Sequence, residues 1–169
     1  MTALAERAGQ FGRSATPALI TLFLVFFSLM PLNLPGSEII MPPLALMAVF
    51  YWSIYRPDLM PAAVAFVAGL LFDMLSGGPP GLYALVFVIV QAVASSQRRF
   101  FLGKVFPVEW LGFCLVAMGT FLVLWALGSL YVGAIVKGST IAIQALLTIS
   151  LYPVMTWVMI RARRAVSGI

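Results

Sequence analysis

Six long apolar runs, separated by short polar or turn-rich connections, make up most of the chain. They cover roughly residues 17–34, 39–55, 61–76, 81–96, 108–131 and 141–160. None alternates with the period of two that marks a half-buried strand, and most exceed strand length, so each is expected to be a helix. The third is short: at 1.5 Å per residue it reaches about 24 Å, against a hydrocarbon core of about 30 Å. It is therefore expected to be a short span or one shielded by its neighbours.

Prolines and glycines punctuate the pattern. Pro31, Pro35, Gly36 and Ser37 make the first connection turn-rich, and Pro42-Pro43 suits the start of the second helix. That helix ends in Tyr51, Trp52 and Tyr55, an aromatic group expected at the lipid–water interface, as are Trp110 and Trp157. Arg56-Pro57-Asp58 reads as a tight turn, and Gly77-Gly78-Pro79-Pro80-Gly81 as a hard stop to the third helix. Residues 97–104 form a basic, aromatic loop. Pro153 falls inside the last run, where it removes the helical bond to the Ile149 carbonyl and is expected to bend the helix.

Composition turns this pattern into a class. Hydrophobic residues make up 63% of the chain and charged ones 9%, with a mean hydropathy of +1.09. A soluble domain carries about 25% charged residues, so this surface must face lipid. The expected architecture is all-α: a polytopic six-helix transmembrane bundle, 1–169, forming one integral membrane domain. A short arm, 1–16, precedes it and a basic tail, 161–169, follows. The basic arm and first run look like a signal peptide, but Leu34-Pro35-Gly36-Ser37 is no cleavage site, so an uncleaved first span is expected.

The net charge of +5 lies in loops between apolar runs and reads as a topology signal, which excludes a nucleic-acid partner. With the N-terminus inside, Arg7, Arg13, Arg56, Arg98, Arg99, Lys104, Arg161, Arg163 and Arg164 lie on one side and only Lys137 on the other. Both termini are thus expected in the cytoplasm of a bacterium, the chain lying in its inner membrane. A lone cysteine, Cys114, and the absence of histidine make a metal site or cofactor unexpected.

Asp73 is the candidate around which the chain is organised. A carboxylate at the centre of a lipid-facing helix costs roughly 2.5–3.5 kcal/mol, so it must be paired, interfacial or turned toward protein. Ala62, Ala65, Gly69, Asp73 and Ser76 share one helical face, and Ala65-x-x-x-Gly69 admits a close neighbour, from this chain or a partner. No second intramembrane carboxylate is expected to accompany it. Hydrogen bonding is expected to matter more than charge there, so asparagine is expected to replace it. Gln144, Thr148 and Tyr152 form a polar stripe on the last helix, and Gln91 and Ser95 another on the fourth. Gln144 is a plausible partner for Asp73, with Tyr83 a further one. No nucleophile–base set or phosphate loop is present, which argues against an enzyme.

Arg56-Pro57-Asp58-Leu59 and Gly69-Leu70-Leu71-Phe72-Asp73-Met74-Leu75-Ser76-Gly77-Gly78-Pro79-Pro80-Gly81 together resemble the MreD family of rod shape-determining proteins. Pro80 stands where the family often has leucine. The resemblance implies a membrane subunit of the cell-elongation complex. Its implied partners are an MreC-type membrane protein and, indirectly, the MreB filament and the glycosyltransferase and transpeptidase of lateral-wall peptidoglycan synthesis. It also implies a fold similar to the substrate-binding components of vitamin transporters. Small-molecule binding for transport is therefore the alternative, although the first span lacks the small-residue face such components use.

Overall fold

The computed structural model describes residues 16–29, 42–135 and 137–167. The arm with Glu6, Arg7 and Arg13 and the connection 30–41 lie outside the described residues. The described chain is all-helical, without a strand: α1 (Thr16–Ser28), α2 (Leu44–Tyr55), α3 (Ala62–Ser76), α4 (Leu82–Ser96), the single turn α5 (Arg98–Phe101), α6 (Phe106–Val132) and α7 (Gly138–Ser167). A 3-10 turn, Pro57–Leu59, links α2 to α3. Each apolar run holds one helix. Among the described residues, only α6 and α7 are long and apolar enough to cross a bilayer unaided; α1 to α4 are shorter apolar helices. The helix α7 continues to Ser167, so Arg161 and Arg163 sit on it rather than on a separate tail.

At the centre lies α2. Every residue from Leu44 to Ile54 is buried, and the helix packs against α4, α5 and α7. A helix that is apolar on all sides has no solvent face and belongs inside. This corrects the expectation for its aromatic end: Tyr51 and Trp52 are only 1% and 2% exposed, and they pack in the core rather than at an interface. At twelve residues, α2 reaches about 18 Å.

The most extensive pairing is between α3 and α4. Ala65, Ala68, Gly69, Phe72 and Asp73 form the buried face of α3. At Gly69 a β-carbon would stand 2.5 Å from Ala84 Cα and 2.6 Å from the Tyr83 carbonyl oxygen, so only glycine lets the two backbones meet. The small face expected to admit another helix is thus filled by the next helix of the same chain. Ala62 and Ser76, expected on that face, are exposed. The helix ends on Gly77 in the left-handed conformation (φ 69°), as a C-terminal cap requires.

The pair α6 and α7 lies across this core. Trp110 is partly buried and donates its indole N–H to the Ile149 carbonyl, 3.2 Å away. That carbonyl is the one Pro153 leaves without its helical donor. Trp110 is therefore a bridge between helices, whereas Trp157 is 61% exposed on the outside of the bundle.

Candidate functional site

Asp73 sits eight residues before Gly81, the residue that leads into α4, and its carboxylate folds back onto that start. Oδ2 accepts the Gly81 N–H at 2.9 Å and the Ala84 N–H at 3.1 Å; Oδ1 accepts the Tyr83 N–H at 2.9 Å. The Leu82 N–H donates to the Pro79 carbonyl at 3.3 Å. The first four N–H groups of a helix have no partner within it, and here all four are satisfied, three by one side chain. Gly81 (φ 95°) cannot cap α4 itself, since it has no side chain. Asp73 itself is 1% exposed. A carboxylate at a helix N-terminus also meets the positive end of the helix dipole.

The Gly/Pro turn makes this geometry possible. Gly77 and Gly81 both need positive φ, and Pro79 supplies the carbonyl for Leu82. Gly78 is exposed. Gln144 reaches the residue beside the cap: its side chain is hydrogen-bonded to that of Tyr83, the other partner expected there. Tyr83 in turn lies against Phe72, with ring centroids 4.4 Å apart. The asparagine expectation needs correction as well. All three partners of Asp73 are donors, and an amide has one accepting oxygen, so its NH2 group would face an N–H.

The same division of labour recurs. Ser28 Oγ accepts the Leu44 N–H at 2.9 Å, capping α2, whose own Pro43 provides no cap. Gln91 Nε2 donates to the Met60 carbonyl, 3.2 Å away, in the connection before α3. Polar side chains on apolar helices here satisfy backbone groups at the ends and breaks of their neighbours.

A second carboxylate, not anticipated from the sequence, lies inside the bundle. Glu109, in the first turn of α6, is 5% exposed. Its Oε2 accepts from the Tyr55 hydroxyl at 2.8 Å and its Oε1 from the Tyr152 hydroxyl at 2.7 Å. The cluster joins α2, α6 and α7. Phe113, one turn along α6, stacks on Tyr152 at 3.9 Å, and the Arg163 guanidinium lies 4.6 Å from the centre of the Tyr55 ring. An acidic residue in a first helical turn is ordinary, so position alone gave no reason to place Glu109 inside. Tyr152 was visible only as one member of a polar stripe.

Arg56-Pro57-Asp58 forms the turn expected. Pro57 opens the 3-10 turn, and the Arg56 carbonyl accepts the Leu59 N–H at 3.0 Å. The side chains of Arg56 and Asp58 are exposed. Among the described residues no three His, Cys, Asp or Glu side chains converge as metal ligands would.

An uncharacterized protein of Rickettsia prowazekii (strain Madrid E) is 28% identical over 98 residues, which is 57% of this chain and 55% of the relative. The match thus spans about half the length of that relative. No solved structure matches. The sequence profile of the family described as rod shape-determining protein MreD matches residues 11–161, which include the capped α3–α4 turn, the Arg56-Pro57-Asp58 turn and the Glu109 cluster. The chain is a membrane protein belonging to the MreD family of rod shape-determining proteins.

Proposed function

We propose that this protein is a non-enzymatic scaffold subunit of the rod-shape complex in the bacterial inner membrane. It crosses the membrane six times, with both termini in the cytoplasm. It holds an MreC-type membrane protein and, through it, connects the MreB filament to the glycosyltransferase and transpeptidase that extend the lateral wall. The observation that favours a scaffold over chemistry is the use made of its carboxylates. Asp73 is engaged by three backbone N–H groups and Glu109 by two tyrosine hydroxyls, all from this chain.

Because α4 fills the small face of α3, the partner helix needs another seat. A groove of about 670 Å³ runs between α6 and α7, with Phe121, Leu122 and Trp125 on one wall and Gly138, Ala142 and Ala145 on the other. Small residues on a membrane helix let a second backbone approach, and we assign this groove to the MreC-type partner. Co-purification from detergent tests the assignment. The partner is expected to be retained by wild-type protein and lost with Ala142→Leu/Ala145→Leu at equal membrane level, with rounded cells as the consequence. Retention of the partner by that variant would move the interface elsewhere. A vitamin-type molecule found in the purified protein by mass spectrometry would favour a transporter component instead.

A further inference from the structure

Arg56 and Arg163 are used by neither the capped turn nor the α6–α7 groove. They are rooted at the same residue. Arg56 directly follows Tyr55 and its side chain is exposed, while the Arg163 guanidinium lies over the Tyr55 ring. Among the described residues neither forms an ion pair. The acids nearest them are spoken for or turned out: Glu109 accepts two tyrosine hydroxyls, and Asp58 is exposed without a base on it.

A guanidinium held on a ring keeps the N–H groups of its edge free. It is also already partly ordered, so little freedom is lost when it binds an anion. Arginine forks match the oxygens of a phosphate. The depth is marked independently. Trp157, lipid-facing on α7, carries the Arg161 guanidinium 5.3 Å from its ring centre, which is the arrangement of a bilayer interface. Arg163 lies two residues further along the same helix, about 3 Å beyond that level, where headgroup phosphates sit.

We propose that Arg163, held on the Tyr55 ring, and the exposed Arg56 that follows Tyr55 in the chain together bind the phosphate of one anionic phospholipid headgroup. This assignment requires the membrane placement of the chain but not its scaffold role, and the experiment below does not read cell shape.

Native mass spectrometry of the full-length protein in detergent, titrated with phosphatidylglycerol or phosphatidylcholine, tests it. Wild-type protein is expected to retain one phosphatidylglycerol at least tenfold more strongly than phosphatidylcholine. Arg56→Gln/Arg163→Gln is expected to lose that preference. Arg163→Lys, which keeps the charge but not the fork, is expected to weaken it about fivefold and serves if the double variant fails to fold. Arg99→Gln removes a base with no aromatic seat and is expected to leave it unchanged. Equal loss in Arg99→Gln would reduce the effect to diffuse charge and overturn the proposal. So would unchanged binding in the double variant. Displacement of the lipid by millimolar glycerol phosphate would instead assign the site to a soluble phosphate, and is also contrary to the proposal.

Discussion

At the scale of single residues, the two buried carboxylates do different work, and the difference lies in their partners. Tyrosine hydroxyls both donate and accept. An amide in place of Glu109 can therefore be accommodated by turning Tyr55 and Tyr152. Removing the side chain takes from the buried Tyr152 hydroxyl its charged acceptor, at roughly 1–3 kcal/mol. Glu109→Gln is expected to retain nearly wild-type stability in detergent unfolding, and Glu109→Ala to lose about that amount. Equal stability of the two variants would show that the cluster contributes nothing. Backbone N–H groups only donate, so Asp73 has no such latitude. Cys114, by contrast, is half-buried on α6 with no thiol partner among the described residues. Cys114→Ala is expected to change stability by less than about 0.5 kcal/mol and to leave partner retention intact. Loss of the partner at normal protein level would reveal thiol chemistry.

Helices were the most legible level. Among the described residues each of the six apolar runs holds one helix, as an apolar run longer than a strand and without alternation leads one to expect. The Asp73 turn was legible too: a carboxylate eight residues ahead of a side-chain-free helix start, with Gly and Pro between, already holds the parts of a cap. The interior of the bundle was harder. Tyr51 and Trp52 carry the aromatic chemistry of an interface, and only the arrangement of α4, α5 and α7 around α2 places them in the core. Glu109 meets tyrosines 54 and 43 residues away, contacts that no local pattern encodes. The α3–α4 pairing has a sharp test. Gly69→Val would drive two methyl groups into the Ala84 backbone, which cannot move aside as a flexible side chain would. A loss of about 2–3 kcal/mol is expected, in the range of overpacked cores. A variant as stable as wild type would mean that α3 and α4 are not in contact at this point.

For the molecule as a whole, the arrangement of charge and the arrangement of caps make one account. Bases collect at the connection ends opposite the Asp73 turn, which favours a cytoplasmic position for those ends. Cysteines introduced at Gly78 and Gly103 are expected to label from outside and inside the cell, respectively. Labelling of both from one side would remove the six-span arrangement. The central claim is that polar side chains in this bundle hold backbone ends together rather than carry out chemistry, with Asp73 as the principal example. Amide hydrogen exchange at Gly81, Tyr83 and Ala84, compared between wild-type protein and Asp73→Ala in lipid nanodiscs, tests it most directly. The account predicts protected amides in the wild type and exchange at least tenfold faster at those three positions in the variant, with the middle of α6 unchanged. Equal protection in both proteins would contradict it.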